Sequence, residues 1–163
     1  MDKLPVRSIM LDTSFLIRLM DNQDPLHANA LEYFRHFRDQ RIDCHVSTIA
    51  IAEYAVGDDP ENLPLSFVKV EAFDIQDSFQ AAKYHKELFG EKENIPGFNR
   101  RIIANDVKIL GQIGAKRIEA IITRDAASYR NYIRPLNDKG FLNIRFYDLS
   151  APLSSALGLL FTT

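Results

Sequence analysis

The stretch Ile9-Met10-Leu11-Asp12-Thr13-Ser14-Phe15-Leu16-Ile17 constrains the fold more than any other part of the chain. An apolar run ends on an acid, and a helix-like segment begins at the next position. Strands that feed helices in this way build open α/β sheets, whose ligands sit at the carboxyl ends of the strands. Asp12 stands at such an end. The function then depends on which other acids reach the same edge.

The rest of the chain repeats the pattern. Val6–Leu11 reads as a strand apolar on both faces, as a central parallel strand should be. Thr13–Met20 reads as a short helix. Asp24 and Pro25 introduce a second helix, about Leu26–Gln40, with Leu26, Ala30, Tyr33, Phe34 and Phe37 on one face. Further strands are predicted at Cys44–Ser47, Phe67–Phe73, Ala120–Thr123 and Asn143–Tyr147. Further helices are predicted at Thr48–Val56, at Ser78–Phe89 with Phe79, Ala82 and Leu88 inward, at Arg100–Ile113 ended by Gly114, and at Ala126–Ile133, followed by a turn over Pro135–Gly140. This alternation implies a three-layer α/β/α sandwich with a mostly parallel central sheet.

A chain of 163 residues without repeats or low-complexity tracts is expected to form one domain with a substantial core. The expected division is a domain over residues 1–148 and a tail over 149–163. Leu153, Leu157, Leu159 and Leu160 in the tail are available to pack on the domain, a second subunit or a partner. A net charge of −2 argues against an indiscriminate nucleic-acid coat. It does not argue against a nuclease, because bound divalent cations reverse the sign of an acidic cleft. The single cysteine, Cys44, permits no internal disulfide and reads as a small buried hydrophobe. No signal peptide or membrane span is expected, and the chain reads as cytoplasmic.

Two acids fall where acids are costly. On Thr48–Val56 the positions Ile49, Ala52, Glu53 and Val56 follow helical spacing, which puts Glu53 on or beside the buried face. On Arg100–Ile113 the positions Ile102, Asp106, Ile109 and Ile113 do the same, and Asp106 interrupts the stripe. A carboxylate removed from water without a partner costs several kcal/mol or takes up a proton. Asp12 and Asp125 offer the explanation, since both follow apolar strands at one end of the sheet. Four converging carboxylates repel one another unless cations hold them, and hard ions such as Mg²⁺ and Mn²⁺ favour oxygen ligands. Such ions among carboxylates are suited to phosphodiester hydrolysis. The competing reading is structural: Asp12 and Asp125 as helix caps, Glu53 reaching solvent, Asp106 paired with Arg100 or Arg101.

Four motifs in order, IMLDTSFLI (Ile9–Ile17), STIAIAEYAVG (Ser47–Gly57), NDVKILGQI (Asn105–Ile113) and IITRDAASY (Ile121–Tyr129), resemble the PIN domain, particularly VapC-type ribonuclease toxins of toxin–antitoxin pairs. The resemblance spans about Ile9 to Tyr147. It implies that Asp12, Glu53, Asp106 and Asp125 are a catalytic, metal-binding acidic quartet, with Ser14 and Thr123 shaping the site. It further implies one or two Mg²⁺ or Mn²⁺ ions, an RNA substrate, a homodimer, and an antitoxin that inserts a segment near the site. Ser128 stands where the family often has another acid or a histidine, so no additional metal contact is expected there.

An RNA substrate needs cations around the acidic cleft, and Arg100, Arg101, Lys108 and Arg124 are the candidates by proximity in sequence. A solvated helix face or a local ion pair is the alternative for each. Tyr129 and Tyr132 could stack on unpaired bases, but packing within the protein is the stronger expectation. The four histidines show no ligand spacing. Two other classes compete. One is a non-catalytic PIN-like RNA- or protein-binding module, which would have no need of the quartet. The other is a haloacid-dehalogenase-type phosphotransferase, which requires a second aspartate where Ser14 stands. Walker-type loops and GxSxG are absent.

Overall fold

The protein is represented by a computed structural model that describes residues 6–90 and 102–157. Five strands, β1 (Ser8–Leu11), β2 (Asp43–Ser47), β3 (Lys69–Glu71), β4 (Ala120–Thr123) and β5 (Arg145–Asp148), form one sheet in the order β3-β2-β1-β4-β5, and every pairing is parallel. The helices are α1 (Thr13–Met20), α2 (His27–Asp39), α3 (Thr48–Tyr54), α4 (Ile75–Phe89), α5 (Asn105–Lys116), α6 (Ala126–Ser128), α7 (Arg134–Asp138) and α8 (Leu153–Ala156). The α/β sandwich expected from the pattern is the observed architecture, with a wholly parallel sheet.

The strand order creates the place where a site can form. From β1 the chain steps outward to β2 and β3, then returns to β4 on the other side of β1 and continues to β5. Right-handed crossovers therefore place α1–α3 on one face and α4–α7 on the other. Packing agrees: α1 contacts α2 and α3, while α4 contacts α5 and α7. The direction of winding reverses between β1 and β4, so a crevice opens at their carboxyl ends. Asp12 leaves β1 there, and Asp125 follows β4.

The core sits on both sides of β1 and β4, whose Ile9, Met10, Leu11, Ala120 and Ile122 are wholly buried. Against one face pack Phe15, Leu16, Ala30, Tyr33 and Phe37; against the other lie Val107, Ile109, Leu110 and Ile113. Cys44 is buried, as its apolar surroundings predict, and burial pushes its thiol up to about 12. Past β5, Leu153 of α8 packs against the core, and Tyr33 Oη donates to the Ala151 carbonyl at 3.0 Å. Leu159 and Leu160 lie outside the described residues.

Several helix faces differ from the sequence expectation. Val56 is 90% exposed and Ala52 is exposed, because α3 stops at Tyr54 and turns Ala50 and Tyr54 inward. Ile102 is 76% exposed because α5 begins only at Asn105; the first positions of the expected helix, Arg100 and Arg101, lie outside the described residues. Phe79 is 63% exposed, and α4 instead buries Asp77, Ala81, Tyr84 and His85, with Ala82 and Leu88 only partly covered. Gly114 does not end α5. The helix runs to Lys116 and closes on left-handed Arg117 (φ 56°), while Tyr84 occupies the space a side chain at Gly114 would need. Pro135 does not break the chain into a turn either. A π-helical segment, Tyr129–Ile133, carries α6 into α7 with Pro135 in its first turn, where the missing N–H costs least.

Candidate metal and nuclease site

Asp12 stands at the N-cap position of α1, yet its side chain makes no capping bond. Its Oδ2 instead accepts from Ser14 Oγ at 2.9 Å and from Thr123 Oγ1 at 2.7 Å. Each hydroxyl has one proton and spends it on the carboxylate. Each hydroxyl oxygen then accepts a backbone N–H from the loop after β4, Ser14 from Arg124 and Thr123 from Asp125, both at 3.0 Å. Ser14 and Thr123 thus lock Asp12 to the loop that carries Asp125.

Asp125 is a cap, and its Oδ1 accepts the Ala127 and Ser128 N–H groups at 2.9 and 3.1 Å. The cap reading therefore holds for one oxygen of Asp125 and fails for Asp12. Asp106, on the first turn of α5, is half-buried, and its Oδ2 accepts from Ser128 Oγ at 3.2 Å. Burial raises its carboxyl above the ordinary 3.8, and the negative charges of Asp12, Asp125 and Glu53 raise it further, while the Ser128 hydrogen bond opposes them. Three acids thus bear electrostatically on one.

Asp12, Asp106 and Asp125 line one small cleft with Thr123 and Ser128, floored by Ile109, Leu110, Ile121 and Ile133. Glu53 stands beside it. Its Oε2 accepts from the Thr13 hydroxyl, and its Oε1 accepts from Asn105 Nδ2 at 2.8 Å. Among the described residues no group of three or more His, Cys, Asp or Glu side chains forms a ready-made metal cage. The donor set nonetheless suits a hard cation: it is all oxygen, the acids are mutually repulsive, and a positive charge between them would remove the repulsion that raises Asp106. A larger cleft lies away from these acids, between α2 and β5, and is lined by Tyr33, His36, Arg41, Phe146, Tyr147 and others. Among the described residues its only carboxylate is Asp148, so the acids that cluster do so in the smaller cleft.

The sequence model of the PIN domain family matches residues 9–133, the span that carries β1 through β4 and the helices between them. The chain is a PIN domain protein. No curated protein matches its sequence. In three dimensions the PIN domain is similar to VapBC2 from Rickettsia felis, solved on a DNA fragment from its promoter, at 18% identity and TM-score 0.58, covering 86% of this chain and 99% of that one. It is similar to DNA-bound VapBC from Salmonella typhimurium at 19% identity and TM-score 0.58, covering 87% and 98%. It also resembles Mycobacterium tuberculosis VapC20, a Sarcin-Ricin loop cleaving toxin, at 18% identity and TM-score 0.52, covering 75% and 93%. These likenesses show the fold.

Of the candidate cations, Arg124 is exposed beside Asp125, and Lys108 Nζ lies 3.5 Å from Asn105 Oδ1. Arg100 and Arg101 lie outside the described residues. Tyr129 is stacked on Phe146 at 4.3 Å between centroids, and Tyr132 meets Phe89 edge-on. Packing within the PIN domain thus engages both rings. Thr13 and Asn105 hold Glu53 though the sequence does not single them out, and Ser128, where no additional metal contact is expected, donates to Asp106. The only local hint is that Thr13 and Asn105 directly flank Asp12 and Asp106.

Proposed function

We propose that this PIN domain is a divalent-metal-dependent endoribonuclease, the cytoplasmic toxin of a type II toxin–antitoxin pair of the VapC kind. One observation carries the reading: Asp12, Asp106 and Asp125 share a single cleft at the topological switch point, close enough for the charges of Asp12 and Asp125 to raise the Asp106 carboxyl. The solved neighbours support the toxin assignment through their fold and through their VapBC complexes. By the same analogy the protein pairs with an antitoxin and forms a homodimer. No helix among the described residues is long and apolar enough to cross a membrane.

One or two Mg²⁺ or Mn²⁺ ions, held by Asp12, Asp106 and Asp125 with Glu53 alongside, would supply the positive charge that receives a phosphodiester and lowers the pKa of the attacking water. Ser14 and Thr123 keep Asp12 oriented towards the cleft through the hydrogen bonds above. A bound cation would offset the burial and the neighbouring negative charges that raise the Asp106 carboxyl. Arg124, next to Asp125, and Lys108, on the same helix as Asp106, are proposed to hold flanking phosphates, as are Arg100 and Arg101. Attack by water would leave a 5′-phosphate and a 3′-hydroxyl.

The test is cleavage of end-labelled structured RNA by the purified protein with Mg²⁺ or Mn²⁺, beside EDTA and Asp12→Asn controls. Cleavage that needs both the ion and Asp12 supports the nuclease. A folded wild type as inert as Asp12→Asn across RNAs favours the non-catalytic binding module.

A further inference from the structure

The Glu53 carboxylate is not held by its own helix. α3 ends one residue later, at Tyr54, and the Glu53 side chain has three free torsions whose ordering costs up to about 2 kcal/mol. Something else must fix the carboxylate. Both of its oxygens are engaged, Oε2 by the Thr13 hydroxyl and Oε1 by the Asn105 amide at 2.8 Å. Each donor is the immediate chain neighbour of another site acid, Thr13 of Asp12 and Asn105 of Asp106. Glu53 therefore ties the start of α1 to the start of α5, the points from which two of the three cleft acids, Asp12 and Asp106, project. Asn105 Oδ1 faces Lys108 Nζ at 3.5 Å, which favours turning the amide nitrogen towards the carboxylate. An acid at position 105 would replace this donor with a repulsion.

We propose that Asn105 is a positioning residue, which holds the Glu53 carboxylate beside the Asp12–Asp106 cleft and thereby strengthens the cleft's grip on a divalent cation. The proposal rests on the reading of the cleft as a cation-dependent nuclease site. Asn105 is not itself one of the residues lining the cleft, and it acts through Glu53. Losing a partner that orients a metal-site carboxylate typically weakens metal binding by about 10-fold to 100-fold. The loss here belongs near the lower bound, because Thr13 retains its half of the clamp.

The experiment is Mn²⁺ titration by calorimetry of the wild type, Asn105→Ala, Glu53→Ala and the double variant, with melting in EDTA to establish that each is folded. Asn105→Ser, whose side chain is too short to span the gap, serves as a second variant should Asn105→Ala not fold. Asn105→Ala is expected to bind Mn²⁺ about tenfold more weakly than wild type and to have no further effect once Glu53 is removed. On RNA it should lower kcat and leave KM unchanged. Wild-type affinity in Asn105→Ala, or the same loss in the Glu53→Ala background, overturns the proposal. A wild type that binds Mn²⁺ but cleaves no RNA sinks the nuclease reading, while the binding data still judge Asn105. A wild type that binds no Mn²⁺ overturns both.

Discussion

Replacing Asp106 with asparagine should stabilise the metal-free protein while abolishing the proposed metal-dependent cleavage. The carboxylate is half-buried, raised by burial and by the charges of Asp12, Asp125 and Glu53. At an effective dielectric near 20, a like charge at about 6 Å, the outer end of the range over which neighbouring charges commonly shift a carboxyl, costs about 3 kcal/mol before screening. Salt and the open side of the cleft reduce the net relief to about 1–2 kcal/mol. Asparagine keeps an oxygen to accept the Ser128 hydroxyl, so that bond is retained. An unfolding entropy of about 2.1 cal/mol/K per residue over 163 residues gives about 0.34 kcal/mol/K, so the expected gain is about 3–6 °C in Tm.

The assay is thermal melting in EDTA and again with Mg²⁺. A ligand that binds only the folded state adds about 1.4 kcal/mol at ten times its Kd, so Mg²⁺ should raise the wild type and leave Asp106→Asn nearly unmoved. The sign with pH follows from linkage. Native Asp106 binds its proton more tightly than the unfolded chain does, so the wild type loses stability as pH climbs through the raised native value, and the variant does not. The gap should therefore be widest near neutrality and close below the ordinary value of 3.8. Asp106→Asn melting at or below the wild type in EDTA, or equal stabilisation of both by Mg²⁺, would refute the reasoning.

Three further outcomes test the packing around the site. Asp77 is wholly buried with Lys116 Nζ at 3.3 Å from its Oδ2, so Lys116→Met should cost about 3 kcal/mol in urea unfolding, and a loss under about 1 kcal/mol would contradict the pairing. A Cβ on Gly111 would lie 2.7–2.8 Å from the Ala81 N and Cβ atoms and the Asp77 carbonyl, mostly backbone that cannot swing aside; Gly111→Ala should lose about 2 kcal/mol or more, read from the denaturation midpoint. The Cys44 thiol, pushed up to about 12, should resist a thiol-specific disulfide reagent at pH 8 in the native protein and react at once when urea unfolds it.

Much of this protein is written locally. The apolar run before Asp12, the helical spacing after it and the strand–helix alternation required an α/β sheet with an acid at a strand end, because those patterns act between near neighbours. The order of Asp12, Glu53, Asp106 and Asp125 likewise follows from the chain alone. The sequence misjudged ends, a face and one connection: Val56 and Ile102 lie beyond the ends of α3 and α5, Phe79 points outward, and the expected turn at Pro135 is the helix α7. Periodicity specifies a stripe only once the helix ends are known, and α3 and α5 are shorter at those ends than their apolar residues suggest. What tertiary structure decided is how each acid is held. Asp12 meets Thr123 across 111 positions, Glu53 meets Asn105 across 52, and Ser128 reaches Asp106 across 22. Such contacts leave no periodic trace, because a hydroxyl or amide beside an acid looks the same whether it faces water or a distant carboxylate. Only the reversal of winding between β1 and β4 brings those donors to the acids, and that reversal belongs to the whole sheet.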